Sequence, residues 1–172
     1  MPLQSQDSPL GAFLKALREE KIDCILIGAM AAIEQGAPLM TVDYDFWVRL
    51  PERQYVRLLT IVQRQGGTIR ARTLYELSDS TQVNAIFQPD GLRSFDAEWR
   101  ISRWSKLEKV PVKVLPLQRV IASKRAANRE KDLAVLPILR RTLRLAMRLK
   151  KRRVPGNKTI KPGKSPRPKT KY

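Results

Sequence analysis

The chain has 172 residues, of which 34 are Lys or Arg and 16 are Asp or Glu, and its formal net charge is +18. It is long enough for one domain with a sizeable core. It contains no histidine and one cysteine, Cys24, which excludes Ser-His-Asp and Cys-His catalysis, histidine metal sites and a disulfide framework. We expect a cytoplasmic protein, because no stretch is typical of a secretory signal or approaches the roughly 20 apolar residues of a membrane helix.

The first half of the chain alternates between helix and strand patterns. Ser8-Pro9 begins a helix, and the apolar run 22–27 is typical of a buried strand. Gly28 ends that strand, small residues lead into a short helix, and residues 41–48 alternate as a second strand. A helix from Pro51 and a strand over 68–72 follow.

The second half continues the alternation. Residues 73–81 are interpreted as a loop or a short turn of helix, 82–87 as a strand, and 95–104 as one or two helical turns. A last strand over 110–115 precedes a helix over 117–127, and Asn128 is placed to cap a further helix from Arg129 onward. Together these elements predict an α/β (α+β) fold, in which a small mixed sheet is flanked by helices.

Two carboxylates stand out on the second strand. Strand side chains repeat every two residues, so Asp43 and Asp45 share one face of an otherwise apolar strand. Two acids in that position repel each other and are costly to desolvate unless a cation lies between them. Mg²⁺ takes carboxylate oxygens and leaves positions for substrate phosphates, so a metal site is one interpretation. The alternative is a half-exposed strand with two solvated acids.

The segment resembles a known signature. Gly28-Ala29, a gap, and Asp43-Tyr44-Asp45 are similar to the motif of the DNA polymerase β-like nucleotidyltransferase superfamily, and a second match lies at VLPLQRVIASKRAANREKDLAVLPIL. This second segment resembles the region where small bacterial members, including the AbiEii-like toxins, carry a Lys followed by Arg-x-Lys-Asp. The two matches span about Ile22 to Leu139.

The resemblance implies metal-dependent transfer of a nucleotide from a nucleoside triphosphate to a hydroxyl of RNA, protein or a small molecule, with Mg²⁺ or Mn²⁺. Asp43 and Asp45 would be metal ligands. Gly28 and Ala29 would form the phosphate turn, and Lys124 and Arg129 would contact phosphates. Asp132 is interpreted as a structural ion-pair partner, with orientation of Lys124 as the alternative.

One departure bears on catalysis. The family places a third carboxylate on a later strand, and the matching position here is Asn84. An amide is a weaker metal ligand than a carboxylate and cannot act as a general base at neutral pH; Asp96 could substitute only if its loop folds back. The alternative function is therefore a catalytically degenerate nucleotidyltransferase-fold protein that acts as a nucleic-acid-binding or toxin–antitoxin module.

The C-terminal region has a separate character. Asp132 is the last acidic residue, and 14 Lys/Arg follow it, so the first 132 residues carry a net charge of only about +4. Arg140, Arg144, Arg148 and Lys151 recur at helical spacing and form a positive stripe. We predict a nucleotidyltransferase-like domain over 1–150 and a disordered Lys/Arg/Pro-rich tail over 151–172. RNA or DNA is the expected partner of this basic region, with an acidic membrane surface or no specific partner as alternatives.

Overall fold

The computed structural model describes residues 7–153 of the chain. Its seven strands are β1 Cys24–Ile27, β2 Asp43–Val48, β3 Thr68–Ile69, β4 Leu74–Glu76, β5 Gln82–Ile86, β6 Arg103–Leu107 and β7 Val110–Val114. Its helices are α1 Pro9–Glu19, α2 Gly28–Ile33, α3 Val56–Arg64, α4 Phe95–Ile101, α5 Leu117–Ala127 and α6 Glu130–Arg153, with a 3-10 turn over Glu52–Gln54.

The strands form one mixed sheet in the order β3-β4-β5-β2-β1-β7-β6. The central strand β2 pairs antiparallel with β1 and parallel with β5, and β1 pairs parallel with β7. The predicted class, a mixed sheet flanked by helices, is therefore confirmed. Two hairpins, β3–β4 and β6–β7, extend the sheet at its two ends.

The core lies where the central strands meet the helices. Most apolar side chains of β1 and β2 are buried, in one core cluster with those of α1, α3 and α5. The largest fully buried members of this cluster include Phe13, Ile25, Leu26, Phe46 and Leu58. Among the helices, α1 contacts α3, α2 contacts α5, and α5 contacts α6. Because β1 and β2 are neighbours in the middle of the sheet, residues at their ends are held firmly in place.

Several predicted elements differ from the structure. Residues 73–81 contain strand β4, and Trp104 lies in strand β6 rather than in a helical turn. Asn128 adopts the left-handed conformation that ends α5, so it caps the preceding helix instead of beginning α6. Asparagine tolerates this backbone conformation better than most residues, which explains its place at the end of α5.

Helix α6 runs through Pro137 and continues to Arg153. The predicted tail, 151–172, lies outside the described residues except for its first three, which continue α6, so the proposed domain boundary stays a prediction. No helix between residues 7 and 153 is both long and apolar enough to cross a membrane.

Candidate active site

The two carboxylates of the Asp-x-Asp pattern lie at the beginning of β2. Asp43 is the first residue of the strand, and Asp45 is directly opposite Ile27 of β1 and Asn84 of β5. Both acids line a cavity of about 470 Å³ at this end of the central strands. Since three strands converge here, the position of each side chain is fixed by sheet register.

Gly28 makes room for Asp45. It follows β1 directly and has a left-handed φ of 68°. A Cβ at this position would overlap Oδ2 of Asp45 and lie 3.1 Å from its Cγ. The glycine therefore serves two local requirements, a backbone turn that disfavours other residues and the close approach of a carboxylate.

The site contains an unpartnered buried oxygen. Within the described residues, Oδ1 of Asp43 is buried and accepts no hydrogen bond. Burial raises the pKa of Asp45, the Asn84 hydrogen bond opposes this effect, and the nearby Asp43 adds to it. A hard divalent cation binds carboxylate oxygens, and it would supply the missing partner of Asp43 Oδ1 beside the second carboxylate. The two aspartates therefore fit Mg²⁺ or Mn²⁺. No group of three or more Asp, Glu, Cys or His side chains in residues 7–153 could hold a metal, so this site offers a pair of carboxylates and not three.

Positive side chains from α5 and from the link between α5 and α6 line the same cavity as these acids. Lys124 near the end of α5 donates to Asp132 Oδ1 at 2.8 Å, and Arg129 donates to Asp132 Oδ2 at 2.6 Å. Burial by itself would raise the pKa of Asp132. The hydrogen bonds from Lys124 and Arg129 outweigh burial and hold this pKa below its usual value. Asp132 thus fixes two cations at the cavity wall.

Asn84, the residue that the sequence analysis aligned with the third-carboxylate position, lies in β5. Asn84 lies beside Asp45 and donates its side-chain amide to Asp45 Oδ1 at 2.9 Å. Asp96 does not substitute for it, because Asp96 lies in α4, forms an ion pair with Arg49, and does not line the cavity. The amide leaves its own oxygen as the only further ligand atom that Asn84 can offer.

The structure brings together six of the seven residues singled out in the sequence. Gly28, Asp43, Asp45, Asn84, Lys124 and Arg129 all line the same cavity, whereas Ala29, the second residue of α2, does not. The sequence reasoning missed Lys131 and Asp90, which line it too. Lys131 belongs to the Arg-x-Lys-Asp segment, and Asp90 lies in the Pro-Asp-Gly turn shortly after β5, so both were detectable once these segments were assigned to the site.

Comparisons with known proteins were made for sequence and for structure. The sequence matches no protein-family profile, and no curated protein is similar to it at a significant level. The solved structures that are similar to this chain include three with TM-scores above 0.5, each at 16% identity or less. The antibiotic-resistance factor ANT(2'')-Ia has 16% identity and a TM-score of 0.52, with 86% of this chain and 94% of that one covered. The lincosamide antibiotic adenylyltransferase LnuA, solved with lincomycin bound, has 10% identity and a TM-score of 0.54, with 77% and 94% covered.

The third is an antigenic nucleotidyltransferase-like protein from Paracoccidioides brasiliensis, with 16% identity and a TM-score of 0.52 over 84% of this chain and 79% of that one. At such identities a likeness concerns the path of the backbone and not the chemistry. Together with the strand order and helix positions described above, these three neighbours show that the chain has the nucleotidyltransferase fold.

Proposed function

We propose that the protein is a metal-dependent nucleotidyltransferase that moves a nucleotide from a nucleoside triphosphate to a hydroxyl acceptor. The observation that carries the proposal is the pair Asp43 and Asp45, which line one cavity and of which Asp43 has a buried oxygen without a hydrogen-bond partner among the described residues. Phosphoryl chemistry of this class depends on positioning and on neutralising charge, and the cavity offers groups for both.

Each group has a proposed role. Asp43 and Asp45 hold the divalent cation, which when bound neutralises phosphate charge and favours attack by the acceptor hydroxyl. Lys124 and Arg129 bind the triphosphate, and Asp132 keeps both cations directed into the cavity. Gly28 leaves the space that Asp45 needs, and its backbone forms the turn beside the phosphates.

Lys131 adds a third positive charge to the same wall. Its attraction, with that of Lys124, favours the ionised form of Asp45. A triphosphate that enters the cavity therefore meets cations on the helix side and a metal-binding carboxylate pair on the strand side. This division of charge supports a nucleotide orientation in which the phosphates bridge the sheet and the α5–α6 pair.

A second candidate function is favoured by one specific contact. The Asn84 amide occupies an oxygen of Asp45 and provides no base at the third-carboxylate position. A catalytically degenerate protein with this fold would bind nucleotide or nucleic acid without transfer, and the basic C-terminal region would be its nucleic-acid contact. Membership of the AbiEii-like branch, and a toxin–antitoxin role, belong to the same proposal.

The two functions separate in one experiment. Label transfer from α-labelled nucleoside triphosphates to total RNA and to protein is measured with Mg²⁺ or Mn²⁺, for the wild type and for Asp45→Asn. Asp79→Asn is the control, because Asp79 is an exposed carboxylate that does not line the cavity. Transfer that Asp45→Asn abolishes and Asp79→Asn retains is the expected result. Nucleotide binding without transfer supports the degenerate alternative, and absence of both overturns the proposal.

A further inference from the structure

A second cavity lies away from the carboxylates. It has a volume of about 500 Å³ and lies between the segment after α2 and the middle of α6. On α6 its lining includes Ile138, Thr142, Leu145 and Leu149, which share one face of the helix because they are spaced by three and four residues. It shares no lining residue with the cavity around Asp43. We refer to this cavity as the α6 groove.

The groove exposes an apolar surface with a positive rim. Ile138, Leu145 and Leu149 are exposed although each is a large aliphatic residue, and Pro38 closes the opposite side. Arg141 lines the groove, and six further Lys/Arg side chains lie on the same helix between residues 140 and 152. None of these seven lies within 4.0 Å of a carboxylate in the described part of the chain.

Charge disfavours occupants that come from the chain itself. A second copy that packs through the same helix would bring the same arginines against this rim, and the chain as a whole carries a net charge of +18. The 19 residues from 154 onward include six Lys/Arg and no acid, so they would be repelled as well. An apolar surface with a cationic rim calls for an occupant with apolar anchors and negative charge.

Shape and chemistry narrow the choice further. Nucleic acid satisfies the arginines but presents no aliphatic side chain to Leu145 and Leu149. An anionic membrane satisfies both features, but it is flat on this scale, whereas the groove is concave. Helices present a convex apolar stripe, and helix-in-groove recognition uses anchors at three- and four-residue spacing.

We propose that the α6 groove binds an acidic amphipathic helix of a partner protein. Its apolar side chains enter the groove beside Leu145 and Leu149, and its carboxylates meet Arg141 and the neighbouring basic side chains. This inference does not depend on the nucleotidyl-transfer proposal, because the two cavities share no residue.

Two substitutions on one helix separate the groove from the charge. Leu145 and Met147 are 49% and 50% exposed, but only Leu145 lines the groove. Leu145→Glu and Met147→Glu therefore add the same charge to the same helix, and only the first disturbs the apolar floor. Both side chains are half exposed, so both variants should fold, which a thermal melt verifies; Leu149→Glu replaces Leu145→Glu if it does not.

The probe is a labelled helical peptide about five turns long, with Leu at positions i, i+4, i+7 and i+11 and Glu at the others. The same peptide with Lys in place of Glu is its control, and binding is followed by fluorescence anisotropy at physiological salt. We expect the wild type to bind the Glu peptide and not the Lys peptide. Leu145→Glu should weaken binding by roughly tenfold or more, and Met147→Glu by no more than about threefold.

Two results with the peptides overturn the proposal. One is a Glu peptide that binds no better than the Lys peptide. The other is an equal loss of binding in the two variants, since that shows attraction by charge alone. A single-stranded RNA oligonucleotide and phosphatidylserine-containing vesicles are titrated in parallel. If either binds the wild type and loses that binding only in Leu145→Glu, the groove belongs to that ligand and the assignment to a protein helix is wrong.

Discussion

Replacing Gly28 by alanine tests the central packing of the site, and Gly66 provides a matched control. Both glycines have left-handed φ values, 68° and 72°. An alanine in this conformation destabilises the folded state by roughly 1–2 kcal/mol. Alanine also lowers the conformational entropy of the unfolded chain, which offsets part of this destabilisation. At Gly66 nothing lies within 4 Å of the new Cβ, so Gly66→Ala should lower the free energy of unfolding by about 1 kcal/mol.

Gly28→Ala has the same backbone cost and a steric one. The new Cβ would overlap Asp45 Oδ2, so Asp45 must rotate and lose its hydrogen bond from Asn84. A displaced rotamer costs about 1 kcal/mol and a lost hydrogen bond to a charged group about 2 kcal/mol, so the total loss is about 4 kcal/mol.

The assay is thermal unfolding followed by circular dichroism, with nucleotide binding measured on the folded protein. At about 3 °C per kcal/mol for a chain of this size, Gly66→Ala should lower Tm by about 3 °C and Gly28→Ala by roughly 12 °C. Nucleotide binding in Mg²⁺ should survive in Gly66→Ala and be lost in Gly28→Ala. Equal melting temperatures for the two variants would refute the argument that Gly28 exists to accommodate Asp45.

Three further predictions follow from the same structure. Asn84→Asp supplies a third carboxylate and should raise Mn²⁺ affinity about tenfold by calorimetric titration, whereas unchanged affinity would show that this position does not face the cation. Glu98→Gln leaves Arg119 without its buried partner and should cost about 3 kcal/mol in a urea unfolding titration at pH 7. Burial by itself would raise the pKa of Glu98, but Arg119 and Arg93 outweigh burial and hold this pKa below its usual value. The ionised carboxylate therefore stabilises the fold fully at pH values above its unfolded pKa of about 4.3. The difference in unfolding free energy between wild type and Glu98→Gln should shrink as the pH falls below this value, and a difference that does not depend on pH contradicts this reasoning. Burial raises the pKa of Cys24 to about 12, so a disulfide reagent at pH 8 should modify the unfolded chain rapidly and the folded chain far more slowly, and equal rates would be inconsistent with this environment.

Local patterns predicted most of the elements. The helix over Leu117–Ala127 was predicted with its observed bounds, and β2 was recognised from alternation. Strand β6 was missed because its hairpin has an unusual turn. Glu108 and Lys109 connect it to β7 with positive φ values of 49° and 65°. Such turns favour Asn and Gly at these positions, so Glu-Lys carries no signal of a hairpin.

The site was only partly accessible to the same reasoning. The distance from Asp43 to Asp45 along the chain is two residues, so their shared face follows from strand periodicity alone. Asn84 is 39 residues away from Asp45, and its contact depends on the parallel pairing of β2 with β5 across the β3–β4 hairpin. Several Lys and Arg residues lie near Asp132 along the chain, so the sequence alone does not identify its partners. The packing of α5 against α6 brings Lys124 and Arg129 to it.

Helix α6 changes character along its length, and this change gives the groove proposal its energetic basis. Its buried side chains are Asp132, Leu136, Leu139 and Thr142, and no described side chain beyond Thr142 is buried. Leu143 still packs against the core, and the turns beyond it depend mainly on helix propensity. From the middle of the helix onward, Arg140, Arg144 and Arg148 repeat at four-residue spacing, where like charges destabilise a helix by about 0.2–0.5 kcal/mol per pair. A partner that supplies carboxylates relieves this repulsion and covers the exposed leucines at the same time, so the features that weaken the free helix are those that strengthen the complex.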